Sequence, residues 1–243
     1  TINLFNFYLI YRLGSLLFSP SVGFLSLSLA LFTPIFIYFG KNPVHEPLTL
    51  TFILLNSSFL YKAINGSNKK KYLYYLLISS FLSLFSGWPA YYHLPLISSY
   101  GYLRSKNKLF LAILFFPLLG FLIHLLHIKL ITGSFTGGGL VEIVLYRLGL
   151  TRGSPADTYS LSQFISRFLL FSRNMFTVPL LLSSFLGFLI TKKNRFYLLI
   201  LATGILHPIV FSNIGYIHDY LQLPLFGFIS LTSALFFRHL LPN

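Results

Sequence analysis

The chain reads as an all-α polytopic membrane protein, about eight full spans plus a partial first one, on three observations. Of 243 residues, 55% are apolar and 19% aromatic while only 9% carry charge, and mean hydropathy is +0.76, a balance no soluble domain shows. The apolar residues fall into runs near the ~20 residues that cross a hydrocarbon layer. Finally, the basic residues come in small clusters between those runs. A formal charge of +14 otherwise suggests nucleic acid, but clusters at run ends are topology signals rather than one binding stripe, so no nucleic-acid partner is expected.

In order along the chain, the first apolar stretch, 2 to 10, is half a span and is followed by Arg12. Full spans are expected at 22–39, 48–63, 72–86, 92–103, 109–131, 174–191, 196–211 and 221–237. The span at 92–103 is short and opens on His93-Leu94-Pro95, so it is expected to be broken or tilted. If the turn holding Arg12 faces the cytoplasm, alternation puts Lys62, Lys69, Lys70, Lys71, Arg104, Lys106, Lys108, Lys192, Lys193, Arg195 and Arg238 on that side with no acid among them. All four acids, Glu46, Glu142, Asp157 and Asp219, fall on the other side with Lys41, Lys129, Arg147, Arg152, Arg167 and Arg173. The positive-inside rule then turns the acidic breaks outward. The start carries no basic n-region and no small-residue cleavage site, so it is no signal peptide. It begins with Thr inside an apolar run, so the 243 residues are expected to form a single transmembrane domain without its first span and first outer loop.

The longest break, 132–173, opens on Thr132-Gly133-Ser134-Phe135-Thr136-Gly137-Gly138-Gly139. Apolar segments then resume with polar residues at helical spacing, as expected for two helices lying in the outer interface. Arg167 and Arg173 suit snorkelling to headgroups, whereas Arg147 and Arg152, beside the glycines, offer the bidentate fork that grips phosphate. Asn42-Pro43-Val44-His45-Glu46-Pro47 fixes a carboxylate between two prolines, a restricted backbone suited to a sugar hydroxyl or a metal. Gly87-Trp88-Pro89-Ala90-Tyr91-Tyr92-His93 carries the single Trp; an interfacial aromatic belt accounts for Tyr91, and Trp88, Tyr92 and His93 are candidate sugar or lipid contacts. His218-Asp219-Tyr220 sets an acid and an imidazole at the start of the last run, and ionisable groups beside spans are costly unless they act. His124 and His127 share a helical face without a nearby acid and read as buried, hydrogen-bonded residues. With no cysteine there is no thiolate chemistry, and phosphate-loop, nucleophile-elbow and zinc motifs are absent from the sequence.

Tyr11-Arg12-Leu13-Gly14, Thr33-Pro34-Ile35-Phe36-Ile37-Tyr38-Phe39-Gly40, Pro43-Val44-His45-Glu46-Pro47-Leu48 and above all His218-Asp219-Tyr220-Leu221-Gln222-Leu223-Pro224-Leu225 together resemble the polytopic GT-C glycosyltransferases. The likeness is to the prokaryotic relatives of dolichyl-phosphate-mannose protein mannosyltransferases and of the lipid A aminoarabinose transferase. The resemblance implies a multi-pass plasma-membrane enzyme moving a sugar from a polyprenyl-phosphate donor to a lipid, glycan or protein acceptor on the outer face, with inversion. It implies Glu46, Asp219 and His218 as catalytic groups, His45, Trp88, Tyr92, His93, Arg147, Arg152 and Tyr220 as substrate contacts, and a divalent cation, Mg2+ or Mn2+, as cofactor. Such enzymes carry their principal base in the first outer loop, so Glu46 is expected to be a second acid. A transporter or lipid flippase also shows many spans and few charges, but usually with charges near the midplane and internal repeats; a structural membrane subunit needs no outer acids.

The orientation is directly testable, because the chain has no cysteine. A cysteine placed at Ser154 is expected to react with a membrane-impermeant thiol reagent in intact cells and one at Ser67 is not; the reverse pattern turns the acidic breaks inward.

Overall fold

The chain's structure, a computed structural model, describes residues 2–39, 45–135, 139–150, 159–191 and 195–241. Among the described residues every regular element is helical: α1 (Ile2–Leu17), α2 (Pro20–Leu31), α3 (Pro34–Phe39), α4 (Glu46–Asn65), α5 (Lys69–Ser83), α6 (Pro89–Ser105), α7 (Phe116–Thr132), α8 (Leu140–Arg147), α9 (Leu161–Phe176), α10 (Val178–Thr191), α11 (Arg195–Val210), α12 (Ser212–Ile217) and α13 (Phe226–Leu240). Two 3-10 segments, Lys108–Phe115 and Asp219–Leu225, run directly into α7 and α13.

Among the described residues three helices are long and apolar enough to cross a membrane: Glu46–Asn65, Lys108–Thr132 and Asp219–Leu240. The pair α9 and α10 reaches the same criterion only jointly, across a 101° bend. The bend falls at Thr177, whose φ of +65° is one of two positive values at non-glycine residues among those described. Asp219–Leu240 is the axis of the bundle, 78% buried, whereas Lys108–Thr132, 17% buried, stands on the rim. Every residue from Phe226 to Ala234 is buried, with α2 and α10 packed on α13 and α4 on the 3-10 segment before it.

The arrangement of polarity is inverted relative to a water-soluble fold. Phe24, Phe32, Ile37, Leu130 and Leu182 are exposed, while Ser26, Thr51, Asn56, Ser98, Ser230 and Thr232 are buried. An apolar solvent gives helices no hydrophobic reason to associate, so contact rests on close packing and on hydrogen bonds between helices. Both are present. A Cβ on Gly14 of α1 would stand 2.8 Å from the Gly23 Cα of α2, and one on Gly187 of α10 would overlap the Thr232 backbone of α13. Ser184 and Thr232 share a hydrogen bond of 2.7 Å, and Ser98 donates to the Phe110 carbonyl at 2.7 Å.

Several expected boundaries move. The first helix does not stop before Arg12 but runs to Leu17, so Arg12 projects from a helix rather than sitting in a turn. The stretch 22–39 is two helices separated at Phe32 and Thr33, where Pro34 lacks the N–H that would continue α2. The stretch 174–191 is a helix only from Val178, its first residues belonging to α9. Pro95 lies within α6, a continuous helix of 17 residues. The two helices expected in the 132–173 break are present as α8 and α9, the second opened by a reciprocal cap in which Ser160 accepts from the Gln163 N–H and Gln163 accepts from the Ser160 N–H.

Candidate functional site

Two opposite ends of the bundle are defined by contacts between helix termini. At one, Tyr61 of α4 and Tyr100 of α6 both pack on Phe196 of α11, and Lys62 lies over the Tyr72 ring at 4.8 Å. This end carries Lys69, Lys70, Lys71, Arg104 and Lys106. At the other, the starts of α4 and α6 meet the end of α11, the end of α8 and the 3-10 segment before α13. The candidate site is built there.

Its anchor is the first turn of α4. Pro47 takes the second position of the first turn, where the N–H has no intrahelical partner and its absence costs nothing. Asn6, fully buried on α1, donates from Nδ2 to the Pro47 carbonyl at 2.8 Å and accepts from Thr51 Oγ1 at 2.7 Å. Thr49 donates to the Ser86 carbonyl at 2.9 Å, joining α4 to the α5–α6 corner. Gly87 makes that corner possible, since its φ is +155° and a Cβ there would stand 2.6 Å from Thr49 Oγ1 and 3.0 Å from the His45 ring. Pro89 then opens α6.

Held this way, Glu46 is 5% exposed, with its Oε1 3.4 Å from His45 Nε2. Its Oε2 is buried without a hydrogen-bond partner. The same is true of the Tyr92 hydroxyl and of His207 Nδ1. Around them lies an aromatic wall: Phe211 meets Trp88 edge-on at 5.4 Å, Tyr92 at 6.0 Å and His207 at 5.8 Å.

Arg147, half-buried at the end of α8, faces this group; its charge acts on Tyr92, His207 and Tyr220. Asn213 positions it by donating to the neighbouring Tyr146 carbonyl at 2.6 Å and accepting from Tyr159 at 2.9 Å. The Tyr159 ring is stacked on Tyr216 at 4.3 Å. Tyr220 in turn lies within electrostatic reach of Glu46 and Asp219 and is stacked on His218 at 4.9 Å. His218, Asp219 and Tyr220 are all half-buried.

Glu46, His45, Trp88, Tyr92, Arg147, His218, Asp219 and Tyr220 are therefore brought to one end of the bundle and linked through shared neighbours. His93 is placed differently: it is buried between α6 and α11, where Nδ1 shares a 2.9 Å hydrogen bond with Thr203. Arg152, with Asp157 and the 40–44 stretch, lies outside the described residues. His124 and His127, expected to be buried, are exposed and line a cavity of about 610 Å3 with Trp88, Tyr91, Gly120 and Arg147. Their face of α7 looks away from the core because that helix stands on the rim of the bundle. Sequence reading missed Phe211, Asn213, Thr49 and Asn6. Only His207-Pro208 near a helix end hints at the first two, since Asn213 acts across 67 positions and Asn6 across 41.

Two carboxylates and an arginine within electrostatic reach of one tyrosine, Tyr220, can orient a hydroxyl and face a leaving anion. Among the described residues no group of three or more His, Asp or Glu side chains is gathered for a metal. No family model, curated protein or solved structure matches the chain.

The anchoring network has a measurable consequence. Thr51→Val keeps the side-chain shape but removes the bond to Asn6, and Asn6→Ala removes both bonds. Each is expected to lower stability by about 1 kcal/mol or somewhat more, as a reduced Tm in detergent; an unchanged Tm in both would detach Asn6 from the positioning of α4.

Proposed function

We propose that the chain is a membrane glycosyltransferase that moves a sugar from a polyprenyl-phosphate donor to a lipid, glycan or protein acceptor at the Glu46–Arg147–Asp219 end of the bundle. The observation that supports this reading is that, of the eleven buried polar side-chain atoms without a hydrogen-bond partner among the described residues, Glu46 Oε2, the Tyr92 hydroxyl and His207 Nδ1 lie at the same end of the bundle as the cationic Arg147. Buried unsatisfied atoms are few in folded chains, and a group of them at one cleft is where a polar ligand completes the hydrogen bonding. In this reading the shorter helices complete about eight spans in a plasma membrane, with α8 and α9 in the outer interface.

The acceptor oxygen forms a bond to the anomeric carbon as the bond from that carbon to the phosphate oxygen breaks, inverting the centre. The acceptor proton passes to a carboxylate, and polyprenyl phosphate leaves with a new negative charge. Glu46 and Asp219 hold the acceptor hydroxyl and bias its proton, and Arg147 faces the leaving phosphate. Trp88, Tyr92 and Tyr220 offer ring faces to the sugar, with His218 held against Tyr220. Mg2+ or Mn2+, where bound, would meet Glu46 and Asp219 and add charge stabilisation at the phosphate.

A transporter or flippase is the second reading, favoured by the burial of Glu46 in a helix long enough to span a bilayer. The two are separated with the protein expressed from its whole gene and supplied with polyprenyl-phosphate sugars. Asp219→Asn and Glu46→Gln are expected to lower kcat by about 10² to 10³ with membrane insertion intact, while Arg147→Ala raises KM for the donor. Absence of any glycosyl product, with the same variants impairing uptake or export, selects the transporter; full activity in the Asp219 and Glu46 variants removes both acids from the reaction.

A further inference from the structure

We propose that the groove between α1 and α4 is a binding site for an anionic glycerophospholipid, with Arg12 and Lys62 on its phosphate and one acyl chain laid along Phe5, Tyr8 and Leu55. This site is separate from the acidic cleft and lies towards the opposite end of α4.

The groove encloses about 460 Å3, and its walls carry Arg12 and Lys62 but no carboxylate. Its polarity is graded along its length. The two helices run side by side in the same sense, because Asn6 near the start of α1 bonds the first turns of α4 while Arg12, Ser15 and Leu16 share the groove with Ser58, Phe59 and Lys62. Both cations therefore sit in the last one or two turns, α1 ending at Leu17 and α4 at Asn65. The apolar part, Phe5 to Leu55, lies further back towards the middle of α4. A 20-residue helix such as α4 spans about 30 Å, the thickness of the hydrocarbon core. The cationic end is thus at headgroup depth and the apolar end at acyl-chain depth, the sequence of chemistries in a phospholipid.

The charge requires a partner from outside the chain. Arg12 is exposed on α1, its guanidinium over the Tyr8 ring at 5.8 Å, and Lys62 lies over the Tyr72 ring at 4.8 Å. Those rings hold the cations in place without neutralising them. The acids among the described residues, Glu46, Glu142 and Asp219, do not line this groove, and Lys69, Lys70 and Lys71 begin the next helix on the same end. An unpaired cation at the edge of hydrocarbon is costly, and a lipid phosphate supplies the missing charge without any rearrangement of the helices.

The test uses the purified chain in detergent, with lipid retention read by native mass spectrometry against phosphatidylglycerol and phosphatidylcholine of identical acyl chains. Phosphatidylglycerol is expected to be retained preferentially, and added glycerol 3-phosphate is expected not to displace it, since it lacks the chain. Lys62→Gln and Arg12→Gln should each reduce phosphatidylglycerol retention about fivefold, the usual worth of one basic residue against an anionic lipid, and leave phosphatidylcholine unaffected. Arg12→Lys should restore most of the binding, and Lys71→Gln, which removes a charge outside the groove, should leave it intact. Equal retention of the two lipids by the wild type overturns the proposal. So does an equal loss in Lys71→Gln and Lys62→Gln, which would mean diffuse attraction to a basic surface, or displacement by glycerol 3-phosphate, which would mean a free-phosphate site. If Arg12→Gln fails to elute as a monodisperse species, Lys62→Gln alone decides.

Discussion

The two hydrogen bonds of Asn6 hold the rest of the site in place. A primary amide buried on α1 clamps the first turn of α4 through the Pro47 carbonyl and Thr51, and α4 clamps the α5–α6 corner through Thr49 and the Ser86 carbonyl. Three helices are thereby fixed at the level of Glu46. In an apolar solvent a buried amide has no water to fall back on, so a change of register between α1 and α4 would strand it. This explains how a carboxylate can be kept at 5% exposure with one oxygen unpartnered. The helices around it cannot relax to cover or expel it.

The same logic organises the other half of the cleft. Asn213 ties α12 to the end of α8 and to Tyr159, and Gln222 in the 3-10 segment donates to the Phe168 carbonyl of α9 at 2.9 Å. The segment after the 137–139 glycines is thus pinned to the start of the central helix by side-chain amides, and Arg147 is carried in on that scaffold. Elsewhere contacts between helices are made by small residues and hydroxyls, Gly14 on Gly23 and Ser184 on Thr232. Close approach replaces hydrophobic burial where lipid is as apolar as leucine.

Much of this was legible in the sequence. Composition alone separates the chain from soluble domains, and helices long and apolar enough to cross a membrane are present where the runs at 48–63, 109–131 and 221–237 stand. The His45-Glu46-Pro47, Trp88 and His218-Asp219-Tyr220 elements, singled out because charge and aromatics are rare at span ends, do lie together. What could not be read depends on distant pairing or on local backbone geometry. The bend at Thr177 turns on a dihedral angle that an apolar run does not encode, whereas the end of α2 before Pro34 carries a signal that the unbroken apolar run hid. The burial of His93 depends on Thr203 of another helix, and the exposure of His124 and His127 on α7 standing at the rim.

The central claim is that the start of α4 and the 3-10 segment before α13 meet in one site with Glu46 and Asp219, and a short-range cross-link tests it most directly. In this cysteine-free chain, His45→Cys and His218→Cys introduced together should be joined by a bifunctional thiol reagent of about 10 Å reach, a distance spanned by roughly three extended residues. The linked product is expected to migrate faster on denaturing gels, as a large closed loop does, whereas a His45→Cys, Ser67→Cys pair at opposite ends of α4 should remain unlinked. Failure of the first pair to link in membranes, with both thiols reactive towards a monofunctional reagent, would contradict the shared cleft.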